Sequence, residues 1–117
     1  MTNQDVSRPW VRKEVIDALR EVSVGESAKW MRDDPSEIDY IVHLFFDDND
    51  LADDPIGLIG DVLLNADEAY AVKGFTSSLE NLISELRDSS TVAYYNHAGW
   101  LDVRSCANRA YAELTRN

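Results

Sequence analysis

The residues of this chain that could do chemistry are mostly carboxylates. Asp and Glu number 22 against 11 Lys and Arg, with two His and one Cys, and the acids are unevenly placed. Residues 33–72 hold twelve acids and no Lys or Arg, whereas 1–32 and 73–117 are close to neutral. Asp47, Asp48, Asp50, Asp53 and Asp54 crowd one short stretch, with Asp39 and Tyr40 just upstream. Such a cluster could bind a divalent cation, supply paired carboxylates for acid–base catalysis, or dock a basic protein. A calcium loop wants oxygen ligands at positions 1, 3 and 5, glycine at 6 and a bidentate Glu at 12. Counted from Asp48, positions 5, 6 and 12 fall on Ala52, Asp53 and Ile59, so the pattern fails. Nothing in the spacing singles out a catalytic pair of acids. Docking is the reading preferred here, because like charges unrelieved by a base cost stability in the free protein and are compensated on binding. Its plain competitor is that the carboxylates keep the chain soluble and cap turns.

The remaining reactive groups are sparse. His43, His97 and Cys106 are far apart and fit no metal-ligand spacing, and no phosphate loop, nucleophile elbow or zinc-protease motif occurs. The expectation is a protein without catalytic residues, cofactor or metal. Tyr40, Tyr94 and Tyr95 are candidate interface anchors, since aromatic side chains carry binding energy while rim charges set the association rate. By spacing, Trp10, Trp30, Trp100, Tyr94 and Tyr95 belong mostly to the core.

Composition sets the frame for these groups. A chain of 117 residues, 44% of them hydrophobic, suits one domain over 1–117 with a core that needs no disulfide. A net charge of −11 repels a nucleic-acid backbone and an anionic membrane surface, which excludes both as partners. The apolar runs fall far short of the roughly 20 residues needed to span a bilayer. A single cysteine and an N-terminus without signal-peptide character suggest a cytoplasmic protein.

The elements that must position the acids are legible as patterns. Trp10, Val11, Val15, Leu19 and Val22 recur at helical spacing after Pro9, predicting a helix over 9–23 whose polar face, Arg12 included, is simply solvated. Residues 38–46 are rich in β-branched and aromatic side chains and read as a strand, with His43 sharing a face with Ile41 and Phe45. Residues 56–64 read as a second, antiparallel strand across an open loop. Asn65 offers a helix cap before a helix over 66–87, in which Gly74 could mark a break. Residues 91–95 read as a third short strand or a turn. A last helix follows Gly99, with Val103, Ala107, Ala110 and Leu114 as its buried stripe and Cys106 facing as Val103 and Ala110 do, hence in the core. The expected fold is therefore α+β: a small antiparallel sheet of two to three strands packed against an N-terminal helix and C-terminal helices.

Trp10 to Leu19, Leu44–Phe45–Phe46–Asp47–Asp48 with Asp54–Pro55, Ile59 to Leu63, and Trp100 with Val103, Ala107 and Ala110 together resemble a family of small acidic actinobacterial proteins of uncharacterised function. That resemblance covers nearly the whole chain and carries over no catalytic residue; Leu101 stands where proline is common in the family. In size, acidity and lack of catalytic motifs the chain is also similar to bacterial immunity proteins, including those of contact-dependent growth inhibition systems. This second likeness implies neutralisation of a basic toxin domain, such as a nuclease, with the acidic segment imitating phosphates: Asp47, Asp48, Asp50, Asp53 and Asp54 meet Lys and Arg of the partner, and Asp39 and Tyr40 complete the partner-binding surface. The alternatives are a cytoplasmic interaction or regulatory module and a carboxylate-dependent enzyme. Edge-to-edge pairing of the 41–46 strand would make a homodimer.

Overall fold

The structure, a computed structural model, describes residues 6–24, 41–47, 50–86, 93–94 and 97–116. Among these residues there is no strand and no sheet, and the architecture is helical. Three α-helices carry it: α1 (Pro9–Val24), α2 (Ala66–Leu86) and α3 (Trp100–Thr115). Helix α3 packs against both others. It runs antiparallel to each, because Arg12 near the start of α1 bonds both Glu68 near the start of α2 and the Leu114 carbonyl at the end of α3. At the opposite end Arg104 of α3 reaches the Ser23 carbonyl of α1, 3.5 Å away.

Amphipathic spacing makes these helices. Val11, Val15, Ala18, Leu19 and Val22 of α1, Val72, Phe75, Leu79 and Leu82 of α2, and Val103, Ala107, Ala110 and Leu114 of α3 are buried in one core. Helix α2 continues through Gly74 without a break, and Asn65 caps it: its Oδ1 accepts the Glu68 amide at 3.0 Å.

Where described, the two expected strands are instead helical and tight turns, and the α+β expectation is overturned with them. Ile41 and Val42 are α-helical and His43–Asp47 forms a π-helical turn; residues 38–40 lie outside the described residues. Burial shows why. Ile41, Leu44 and Phe45 are buried at helical spacing, while His43, which alternation would put on their face, is exposed. Phe45 packs edge-on against Phe75 of α2, with ring centroids 5.0 Å apart. β-Branched composition describes a half-buried surface rather than a backbone preference, so packing against α2 overrides it.

Residues Ile56–Leu58 form a 3-10 turn rather than a second strand. The Leu58 carbonyl then accepts the amides of Asp61 and Val62, and a single parallel bridge joins Ile59 to Leu63. Gly60 sits at the reversal with φ of 93°, in the left-handed region where a side chain is strained. Of residues 91–95, Ala93 and Tyr94 are helical and Tyr94 is buried; the others lie outside the described residues. With no sheet edge at 41–46, edge-to-edge strand pairing is not a route to a homodimer. Trp10 is exposed, contrary to its expected place in the core, whereas Trp100 is buried. Trp30 lies outside the described residues.

Candidate functional site

The acidic segment begins where the π-helical turn ends. Asp39, Tyr40 and Asp48 lie outside the described residues, and Asp47 closes the turn. Between Asp50 and Pro55 the chain is tethered by its apolar residues: Leu51 and Ala52 are buried, and the Ala52 amide donates to the Phe45 carbonyl at 3.1 Å. Asp50, Asp53 and Asp54 are thereby turned outward and exposed. Asp54 also has turn work, because its Oδ1 accepts the Gly57 amide at 3.1 Å and its own amide donates to the Asp50 carbonyl at 2.7 Å. The solubility-and-turn reading thus holds for Asp54 in part.

Isolation from bases in sequence is not isolation in space. Lys73 of α2 donates to the Ala52 carbonyl at 2.6 Å, inside the acidic stretch. Arg8 grips Asp61 with two hydrogen bonds of 2.9 and 2.8 Å, while the Ser7 and Arg8 amides donate to the Gly60 and Asp61 carbonyls. The Arg8 hydrogen bond holds the Asp61 carboxyl below its usual range, and hydrogen bonding to Asp61 with the added field of Asp61 and Asp50 holds Arg8 above its own. Asp53 and Asp54 adjoin two outward apolar residues, Ile56 and Ile59, which are 47% and 38% exposed.

Sequence spacing concealed a buried ion pair. Arg12 of α1 and Glu68 of α2 are 1% and 2% exposed and meet through two hydrogen bonds of 2.7 and 2.9 Å. Arg12 also donates to the Val62 and Leu114 carbonyls, and Glu68 Oε1 accepts the Leu64 amide at 2.8 Å. One guanidinium therefore ties α1, the 62–64 turn, α2 and the end of α3 together. Its signal was present: Arg12 lies in phase with Val15, Leu19 and Val22, and Glu68 with Val72, Phe75, Leu79 and Leu82. Opposite charges on two apolar stripes have little choice but to pair.

His97 has both ring nitrogens engaged. Nδ1 accepts the Gly99 amide at 2.9 Å and Nε2 meets a Glu85 carboxylate oxygen at 2.5 Å, beside a small cavity of about 170 Å³ next to Asp102. The ring fastens the start of α3 to the end of α2 and has no lone pair left for proton abstraction in this arrangement. Cys106 is half-buried rather than in the core. Among the described residues no group of three or more His, Cys, Asp or Glu is placed to hold a metal ion, and no helix is long and apolar enough to cross a membrane.

Fold and site together define a small domain that is helical over its described residues, held at one end by a buried Arg–Glu pair and carrying an exposed acidic loop. The chain belongs to the family described as domain of unknown function DUF7945, whose model matches residues 6–117. Comparison with curated proteins and with solved structures gives no match.

Proposed function

We propose that this protein is a non-catalytic binding domain that docks a basic protein through the acidic loop, and that the partner is a toxin domain it neutralises. The observation that carries the reading is the outward presentation of Asp50, Asp53 and Asp54 beside exposed Ile56 and Ile59. Charged rim and apolar centre are the anatomy of an interface: the isoleucines supply desolvated contact, the carboxylates steer a cationic partner. Leu51 and Ala52, buried beneath, hold the loop in place before any partner arrives, which lowers the ordering cost of binding. Lys73 hydrogen-bonds the Ala52 carbonyl rather than a carboxylate in this loop, so it does not neutralise Asp50 or Asp53 directly. Engagement of both His97 nitrogens favours binding over acid–base catalysis at that residue.

The test is capture from the lysate of its own host with tagged protein, washed at low and then high salt, alongside the Asp50→Lys/Asp53→Lys variant. A basic protein held by the parent, released by salt and lost by the variant is the expected result, and inhibition of that protein's activity identifies neutralisation. Equal capture by both forms would remove the acidic loop from the interface. Capture without inhibition leaves a binding module and ends the toxin reading.

A further inference from the structure

On the outer side of the seam between α2 and α3 lies a half-open cavity of about 400 Å³, within the size range of small-molecule sites. It shares no residue with the acidic loop. Its α2 wall is the stripe Asp67, Tyr70, Ala71 and Gly74, and its other wall is Cys106, Arg109 and Glu113 of α3 with Arg116 just past the helix end, so each helix contributes one face.

Gly74 is the informative member. It lies well inside α2, its φ is not in the left-handed region, and a methyl group there would meet nothing within 4 Å. Neither close packing nor backbone geometry asks for glycine, which is among the least favourable residues in a helix interior. What its bare Cα does is keep the cavity floor open. The charges are also unevenly committed. Glu113 is paired with Arg116 at 3.2 Å, and Asp67 sits in the first turn of α2, where the helix dipole favours a carboxylate. Arg109 makes no hydrogen bond or ion pair among the described residues. Tyr70 offers an uncovered ring, 68% exposed.

We infer that this cavity binds a small aromatic carboxylate, its anionic group on Arg109 and its ring over the Gly74 floor against Tyr70. Guanidinium and carboxylate match in geometry, and a flat body suits a floor with no side chain. Cys106 is the only cysteine and lies in the cavity, so thiol reactivity reports occupancy directly.

Isotope-labelled protein titrated with 4-hydroxyphenylacetate, and separately with the uncharged 4-hydroxyphenylacetamide, tests the assignment. The acid should produce saturable amide shifts confined to 67–74 and 106–116 and slow the reaction of Cys106 with a thiol reagent. The amide and the Arg109→Gln variant should each bind about tenfold more weakly, the loss expected of one charge-assisted hydrogen bond. Gly74→Leu fills the floor and should abolish the shifts while melting no lower than the parent, since leucine is the better helix former. No saturable shift with the acid, or shifts that persist unchanged in Gly74→Leu, would overturn the proposal.

Discussion

At the scale of single residues, the molecule depends most on Arg12. A buried guanidinium that satisfies Glu68 and two carbonyls cannot be removed without stranding all three. Arg12→Ala should cost about 3–5 kcal/mol, the usual consequence of leaving a buried charge without its partner. The double variant Arg12→Met/Glu68→Leu should recover most of that loss, because neither desolvated charge remains. Urea unfolding of the three proteins measures this, and a double variant no more stable than Arg12→Ala would mean the pair is needed for packing as such. Asp61 makes a different prediction. Its carboxyl titrates lower in the folded protein than unfolded, so the Arg8 pair contributes stability at pH values above the ordinary carboxylate range, about 4, and that contribution disappears as pH falls through the depressed folded value. Asp61→Asn should therefore destabilise the protein at neutral pH and leave it level with the parent in strong acid. Both partners are about one-third exposed, so the difference at neutrality should stay within about 1 kcal/mol.

At the scale of elements, Gly74 separates packing from ligand binding. Gly74→Ala should raise stability by about 1 kcal/mol, because the helix gains a better former and the added methyl touches nothing. Thermal unfolding checks it, and a lower melting temperature would reveal a packing demand on glycine. The same element shows what the sequence exposed and what it hid. The limits of α1 and α2 and the start of α3 could be read to within a residue or so, with a break at Gly74 left open, since sixteen or more residues of apolar stripe average out local exceptions. Short segments have no such averaging. The run from Ile41 to Phe46 looks like a strand by composition and a helical turn by burial, and only Phe75 of α2, distant in sequence, decides between them. The candidate site divides the same way. Exposure of Asp50, Asp53 and Asp54 followed from their type, whereas the cavity arises where faces of two helices separated in sequence meet. Arg12 and Glu68 were hidden by an assumption that charges on amphipathic helices face water, although each lies in phase with its helix's apolar stripe.

At the scale of the whole molecule, the excess of eleven negative charges opposes folding through self-repulsion. The surface pairs Arg8–Asp61, Lys13–Asp17 and Arg116–Glu113 offset little of it, since each is weakened by solvent and screened by salt. The buried Arg12–Glu68 pair is out of reach of counterions. Raising NaCl to about 0.3 M brings the screening length below about 8 Å, which weakens repulsion between many unpaired acids more than attraction within a few pairs. The melting temperature should therefore rise with salt, and rise less for Asp50→Lys/Asp53→Lys. That variant should also melt higher than the parent at low salt while losing the captured partner, the trade expected where residues are kept for binding at the expense of stability. A fall in melting temperature with salt would place the dominant electrostatic term in the exposed pairs. If instead the reversals destabilise the free protein, Asp50 and Asp53 are structural, and the acidic loop would have to be read as turn chemistry throughout.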